Sequence, residues 1–196
     1  EEEDNNVLVE IESTIGEKVF NQYRDRRVEI EQFVDFLLVQ VGSVENVQRI
    51  AHNALMKITD NEDKKEELVK SWNNRVSPID ELKKQRQVIM ELILVKHVEN
   101  YQTYLVHLLR ELFCQFPNSL KDRKIELEKL IELESVDAVI ADVAETAVER
   151  KSFEKLKKMF IGKFGIDIID QEDAGKVSLA IEIRNIAVHN RSYINR

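Results

Sequence analysis

Apolar residues recur at helical spacing through the first part of the chain. Near the start they step by four positions, as in Val7, Ile11, Ile15 and Val19. Because a helix turns by about 100° per residue, this spacing predicts one long helix over 7–41 with a single apolar face. Gly42-Ser43 combines a helix stop with an N-cap residue, so a second helix is expected to begin near Val44. The polar break at 59–63 predicts a third helix over about 64–73.

The second part of the chain opens at Ser77-Pro78, where Ser suits the N-cap and Pro the first helical position. From Ile79 to Phe116 the apolar positions barely pause, which predicts either one helix of about ten turns or two helices separated by a kink. Four shorter helices are expected after it: over 120–133, from Ser135 to Glu149, over 153–164 and beyond Asp170. The link 166–169 is the one place where the pattern predicts a strand-like connection.

These periodicities predict an all-α protein, with a helical bundle over 78–196 and an N-terminal helical extension over 1–76. The composition agrees, because the 196 residues include only five Gly and two Pro, the residues that most often interrupt helices. A chain of this length can bury a sizeable core. The N-terminal part carries no recognisable chemistry, and its expected roles are packing, partner docking or dimerisation.

The formal net charge of −8 means that the chain as a whole repels nucleic acid and acidic membranes. A phosphate-binding site therefore requires a local basic patch. The C-terminal end supplies one, because no acidic residue follows Glu182 whereas Arg184, Arg191 and Arg196 do. No apolar stretch approaches the roughly 20 residues of a membrane span, and the acidic start differs from that of a signal peptide. A cytoplasmic protein with no membrane partner is expected.

Cysteine and histidine are too sparse to predict a redox or metal centre. Cys114 is the single cysteine, which excludes an internal disulfide, and its apolar neighbours predict a buried, inert thiol. His97 and His107 are ten residues apart, and neither has a partner one helical turn away that could share a metal. We therefore expect no metal and no other cofactor. Trp72, the only tryptophan, is expected to anchor packing.

The clearest candidate chemistry lies near the C-terminus. Arg184, Asn185 and His189, here called the Arg-Asn-His motif, fall within six residues of an otherwise apolar helical pattern. Arg forms forked hydrogen bonds with phosphate and His exchanges protons near neutral pH, whereas a packed helix needs neither. From spacing alone two interpretations stay open. The trio is functional, or it is an exposed Arg, a solvated Asn and a His with a satisfied hydrogen bond.

Helix geometry restricts how the motif can work. Asn185 and His189 are four residues apart and stand on one face of a helix, whereas Arg184 and His189 diverge by about 140°. One regular helix therefore cannot easily direct Arg184 and His189 at the same phosphate. Either the helix breaks near residues 188–190, or the two side chains meet groups from a second copy across a two-fold axis.

A bundle of helices ending in Arg-Asn-Ile-Ala-Val-His resembles the HEPN superfamily. The signature of that family is an Arg followed by a polar residue and, after four to six intervening positions, a His. Arg184, Asn185 and His189 match it with four residues between Arg and His. The resemblance covers about residues 78–196, including the helical pattern around Tyr101-Gln102-Thr103-Tyr104-Leu105.

The resemblance implies a metal-independent endoribonuclease that acts as a homodimer, often as a toxin or in phage defence. In that chemistry the RNA phosphodiester is transferred to its own 2′-hydroxyl. His189 would be the acid or base, Arg184 would hold the scissile phosphate, and Asn185 would orient the ring or the phosphate. Asn190 and Arg191 would add substrate contacts.

The resemblance also leaves a second class of function open. Some members of the family have lost catalysis and only bind or dimerise, so the alternative is a non-catalytic helical dimerisation or interaction module. The expected partners are RNA, a second copy of the chain, and an antitoxin or other regulatory protein. The overall acidity of the chain favours the alternative.

Overall fold

A computed structural model describes residues 2–121, 124, 127–133 and 135–189. Eight α-helices lie in this part of the chain: α1 (Glu2–Ile58), α2 (Glu62–Asn74), α3 (Pro78–Lys84), α4 (Arg86–Gln115), α5 (Leu127–Leu133), α6 (Val136–Arg150), α7 (Phe153–Phe164) and α8 (Gln171–His189). A short 3₁₀ helix, Pro117–Leu120, follows α4. The described residues include no strand. The predicted all-α class and helical bundle are confirmed.

Local sequence signals set several helix ends as predicted. The hydroxyl of Ser77 accepts a hydrogen bond from the Asp80 amide, and Pro78 occupies the first position of α3. A turn at Gln85 separates α3 from α4, so the long apolar run forms two helices rather than one. The hydroxyl of Ser135 caps α6 in the same way. Gly165 ends α7 with φ of 71°, a left-handed conformation that glycine adopts without steric cost.

Helix boundaries differ from the prediction at Gly42-Ser43 and in the segment 120–133. The helix break at Gly42-Ser43 is wrong, because α1 continues through both residues to Ile58. A glycine inside a helix costs only about 1 kcal/mol relative to alanine, which the helix-forming residues on both sides offset. The helix expected over 120–133 begins later, at Leu127, since Lys121 lies in a turn and Lys124 is not helical.

Contacts divide the chain into two units. The first, the core unit, comprises residues 1–27 and 94–196, and the second unit comprises 28–93. The division of the chain into domains 1–76 and 78–196 stays a prediction, because a grouping by contact does not test which parts fold independently. No helix among the described residues is long and apolar enough to cross a membrane.

The core unit contains every buried residue of the described chain. Its centre is formed by large side chains from α4 and α7 with small ones from α6: Leu105, Leu109, Phe113, Ala144, Ala147, Leu156 and Phe160. Val19 of α1 and Ala174 of α8 also pack into this cluster. Burying a leucine- or phenylalanine-sized side chain stabilises a fold by about 1.5–3 kcal/mol. Packing of one face per helix therefore holds the bundle together.

The link between α7 and α8 is irregular rather than strand-like. Lys157, on the buried face of α7, makes an ion pair with Asp167 over 3.2 Å and donates a hydrogen bond to the carbonyl of Ile169. Ile168 and Ile169 turn towards the core. The buried ammonium of Lys157 thus provides a partner for a backbone carbonyl and a carboxylate of the link, which is not paired with a strand.

Cys114, which is expected to be a buried thiol, is exposed. Cys114 is exposed because the buried face of α4 passes through Leu112 and Phe113, and the next position turns 100° away. Leu179 and Ile183 of α8 are also exposed. This helix packs on the core through the face that contains Ala174, Val177 and Ile181.

The second unit is held together by an aromatic and ionic cluster. Trp72 of α2 stacks on His52 of α1, with ring centroids 4.5 Å apart, which confirms its predicted role in packing. The guanidinium of Arg75 lies 3.7 Å from the centroid of the Trp72 ring and pairs with Glu45. Glu45 also accepts a hydrogen bond from Ser77 over 2.9 Å. The bond from Arg75 holds the pKa of Glu45 below its usual value.

Candidate functional site

Helix α8 carries the Arg-Asn-His motif, and the N-cap and packing of this helix determine the side on which Arg184 lies. Asp170 caps the helix, since its carboxylate accepts a hydrogen bond from the Asp173 amide over 2.8 Å. Ala174, Val177 and Ile181 then pack on the core at steps of three and four residues. Arg184 follows three positions after Ile181, on the same side of the helix. The packing of α8 therefore delivers Arg184 to the surface of the core unit beside α4.

The side chain of Arg184 is held in place, but its guanidinium does not use all of its hydrogen-bond donors. Its side chain is 20% exposed, and its Nη1 donates a hydrogen bond to the Asn185 Oδ1 over 3.0 Å. Its Nη2 lies 4.0 Å from a carboxylate oxygen of Glu99 on α4, the outer limit of an ion pair. Its Nε is buried and has no hydrogen-bond partner among the described residues. A guanidinium has five donors, so this one keeps capacity for an anionic ligand.

Two cavities of the core unit meet at Arg184. One, of about 590 Å³, is lined by α4, α6, α7 and α8 and includes Gln102, Ser152, Arg184 and Asn185. The other, of about 530 Å³, is lined by α4, α6 and α8 and includes Thr103, His107 and Arg184. Both share Gln102, Val148, Glu149 and Arg184. Each is large enough for part of a nucleotide or a peptide side chain.

Carboxylates surround Arg184 on several sides. Glu99 and Glu145 line the smaller cavity, Glu182 lines the larger one, and Glu149 lines both. Lys151 in the larger cavity is the other permanently charged cation that lines either space. A phosphate that approached Arg184 would therefore meet opposing charge, which the sequence pattern of a basic C-terminal end did not indicate.

His107 lines the same cavity as Arg184, on the side formed by α4. The sequence interpretation treated His107 only as a poor metal ligand and missed this position. A signal was present, because Glu99, Thr103 and His107 repeat every four residues and form one polar face of α4. His107 is exposed, so its imidazole is available in the cavity that Arg184 also lines.

The remaining predicted site residues are placed only in part. The backbone of α8 is helical through His189, whereas the side chain of His189 lies outside the described part of the structure. Asn190 and Arg191 lie outside the described residues altogether. The helix is therefore unbroken through Val188 and His189, and of the expected break near residues 188–190 only position 190 lies outside the described residues. The Cβ directions at 184 and 189 diverge by about 140°.

The hydrogen bond between Arg184 and Asn185 partly offsets the divergence between the Cβ directions at positions 184 and 189. It draws the guanidinium towards the side of α8 on which Asn185 stands. His189 follows Asn185 by four residues, so its Cβ projects from the same side. A long Arg side chain can thus shorten the separation that its Cβ direction suggests.

No group of three or more His, Cys, Asp or Glu side chains within the described ranges is arranged to hold a metal ion. Comparison of the chain with protein-family models, with curated protein sequences and with solved structures finds no match.

Proposed function

We propose that this protein is a HEPN-type, metal-independent endoribonuclease that acts as a cytoplasmic homodimer. The observation that supports the proposal is the state of Arg184. Its guanidinium is mostly buried, bonded to Asn185, short of partners at Nε and open to two cavities, and His189 follows it five residues later. A purely structural arginine at this burial would be expected to use more of its donors.

The proposed reaction is an intramolecular transesterification of RNA. The 2′-oxygen attacks the neighbouring phosphorus, the bond from phosphorus to the 5′-oxygen breaks, and the products are a 2′,3′-cyclic phosphate and a 5′-hydroxyl. His189 takes the 2′-hydroxyl proton or protonates the departing 5′-oxygen. Arg184 holds the phosphate and offsets the charge that grows on its free oxygens. DNA lacks the 2′-hydroxyl and should be left intact.

Asn185 has a positioning role in this proposal. Its amide oxygen accepts the bond from Arg184, and its amide nitrogen is free to contact the phosphate or the imidazole. Asn190 and Arg191 would add contacts to the flanking backbone. A toxin or phage-defence role, restrained by an antitoxin or other regulatory protein, completes the proposal.

The test is cleavage of labelled single-stranded RNA by the full chain in the presence of EDTA, with DNA of the same sequence as the control substrate. Arg184→Ala and His189→Ala should each slow cleavage by roughly 10²–10⁴-fold. His97→Ala, half-buried on α4 and outside both cavities, is the matched control and should cut at the parental rate. If His189→Ala retains parental activity while His107→Ala loses it, the acid or base is His107 and the proposed role of His189 is wrong.

A second candidate is a non-catalytic helical interaction module. The carboxylates of Glu99, Glu149 and Glu182 around Arg184 favour it, because they oppose phosphate binding. The same assay separates the two functions. An interaction module would leave the RNA uncut at every protein concentration, and no 2′,3′-cyclic phosphate would form.

A further inference from the structure

The larger of the two cavities that meet at Arg184 has an apolar wall. Its volume of about 590 Å³ falls within the range of small-molecule sites, about 300–1,000 Å³. Four buried side chains from α4, α6 and α7 belong to this wall: Leu105, Val148, Phe153 and Leu156. Because all four also pack in the core or beside it, the wall is rigid. It suits the flat, apolar face of a ring.

Polar side chains line the same cavity and are free to bind a ligand. Gln102 of α4 is half-buried, and Glu149 is exposed in the last turn of α6. Ser152 is the N-cap residue of α7, but its hydroxyl makes no capping hydrogen bond. None of these three side chains is hydrogen-bonded or ion-paired to another described residue. They can therefore turn to a ligand without breaking a bond within the protein.

The charges that line the larger cavity balance. The carboxylates of Glu149 and Glu182 offset the cations of Lys151 and Arg184. An anion in addition to the phosphate at Arg184 would gain little from such a lining, whereas a neutral ligand with both donors and acceptors matches it. The part of an RNA that has this chemistry is a base, which is uncharged and planar, with apolar faces and polar edges.

We propose that the larger cavity binds a guanine base next to the scissile phosphate, and that Glu149 recognises this base. The inference rests on the proposed ribonuclease function and assigns the sequence specificity of the same site. Glu149 lines both cavities, and Arg184 does so too. A nucleotide whose phosphate binds Arg184 can therefore reach Glu149 with its base.

Guanine is the base whose edge matches a carboxylate. Its Watson–Crick edge carries two adjacent donors, N1–H and the 2-amino group, and an ionised carboxylate offers two acceptor oxygens and no donor. Adenine and cytosine present one amino group beside a ring nitrogen that accepts, and uracil presents one N–H between two carbonyls. Each of these three bases sets an acceptor against a carboxylate oxygen. The O6 acceptor of guanine can bind the donors of Gln102 or Ser152.

This role explains why a carboxylate lines a cavity that is proposed to hold RNA. Glu149 weakens the binding of any phosphate at Arg184, whatever the base. With guanine in the cavity, the carboxylate gains two hydrogen bonds in return. With another base it is desolvated without full compensation, which is a penalty against the wrong sequence.

The test is RNA cleavage by the full chain with short oligouridine strands that contain one variable nucleotide. This nucleotide is guanosine, inosine, adenosine or cytidine, and cleavage between uridines of the same strand is the internal reference. Cleavage next to guanosine should be about 5- to 150-fold faster than cleavage next to adenosine, the discrimination that one bidentate contact gives. Inosine lacks the 2-amino group, so its cleavage should fall between the two.

Glu149→Gln should change which base is preferred. A glutamine amide offers one acceptor and one donor, which match the amino group and the ring nitrogen of adenine. Cleavage next to adenosine should therefore become faster than cleavage next to guanosine. This ratio does not depend on the stability of the variant or on its affinity for phosphate, so a structural role of Glu149 would leave the ratio unchanged.

The control is Glu154→Gln, which removes the same charge from the exposed surface of α7, outside both cavities. It should keep the parental preference. Equal cleavage next to all nucleotides, or a parental preference for another base, would overturn the guanine site and leave the ribonuclease proposal standing. A guanosine preference that persists in Glu149→Gln would overturn the role of Glu149. A parent that cuts none of these strands would contradict the ribonuclease function, and the guanine site would fall with it.

Discussion

Arg184 donates a hydrogen bond from Nη1 to the Oδ1 of Asn185 over 3.0 Å, so two adjacent residues of the Arg-Asn-His motif form one polar group on α8. Neighbouring residues on a helix point 100° apart and seldom share a task. Here the length of the arginine side chain overcomes that angle. The contact explains how a helix can present an amide and a guanidinium together, one turn before His189.

Replacement of Asn185 by Ala should weaken the proposed site without removing it. The guanidinium would lose the one close hydrogen-bond acceptor that it has among the described residues, and it would sample more positions. A net contribution of about 0.5–1.5 kcal/mol for such a bond corresponds to roughly two- to tenfold slower RNA cleavage. Cleavage kinetics and thermal unfolding of the variant check this. An effect as large as that of Arg184→Ala would show that Asn185 contacts the reacting groups directly.

Replacement of Glu99 by Gln should improve RNA binding. The Glu99 carboxylate lies 4.0 Å from Nη2 of Arg184, where it competes with any phosphate. The pair is partly exposed and loose, so its removal should tighten binding by only about two- to fivefold. Fluorescence anisotropy with labelled RNA gives the measurement.

The control for this change is Glu154→Gln, which alters the net charge equally on the exposed surface of α7. It should leave the affinity unchanged. If the two variants show the same increase in RNA affinity, the increase reflects the overall charge of the protein, and Arg184 is not the phosphate ligand.

Helix existence could be predicted from the sequence because it depends on local patterns. The caps at Ser77 and Ser135 and the stop at Gly165 are decided by residues within one turn. The helix end predicted at Gly42-Ser43 was wrong because the low helix propensity of glycine is a small, local effect. The favourable energy of the flanking turns of α1 outweighs it.

Burial and the surroundings of the candidate site depend on contacts between distant residues. The sequence places Arg184 on the last helix, but only the packing of α8 beside α4 brings Glu99 and His107 to it. These residues are separated from Arg184 by more than 70 positions of the chain. Likewise, apolar residues recur on two faces of α8, so the sequence does not show which face is buried. In the structure the face of Ala174 is buried and that of Leu179 is exposed.

Gly165→Ala should destabilise the protein by about 1–2 kcal/mol. Gly165 has φ of 71°, where a Cβ is strained whatever space surrounds it. Gly162 is the control, because it lies inside α7 with a helical backbone and open space around the Cβ position. Gly162→Ala should stabilise by about 0.5–1 kcal/mol. Urea denaturation measures both, and the same sign for the two changes would contradict the left-handed cap.

Cys114 should react slowly with alkylating reagents at neutral pH despite its exposure. Partial burial of the sulfur raises the pKa of the thiol, and Asp137 and Glu111 raise it further. Less thiolate is therefore present at pH 7 than in an ordinary thiol, and the rate should still be rising above the usual pKa of about 8.5. The pH dependence of iodoacetamide labelling measures this. Asp137→Asn should shift the profile to lower pH, and an unchanged profile would remove Asp137 as a cause.

Co-expression of Arg184→Ala and His189→Ala chains should restore part of the RNA cleavage that each variant lacks alone. Helix α8 is regular through His189, so the Cβ directions at positions 184 and 189 diverge and a two-fold axis brings opposite chains together more readily. In a mixed dimer one site then pairs an intact Arg184 with an intact His189 from the other chain, while the second site has neither.

The assay is RNA cleavage by mixed dimers purified through two different affinity tags. Dimers that combine two differently tagged His189→Ala chains are the control and should stay inactive. The bond from Arg184 to Asn185 offers the competing arrangement, in which the guanidinium bends towards His189 of its own chain. In that case no mixed dimer has a complete site, and the mixture stays as inactive as the control. Recovery of cleavage therefore assigns the site to two chains, and its absence in a purified mixed dimer assigns it to one.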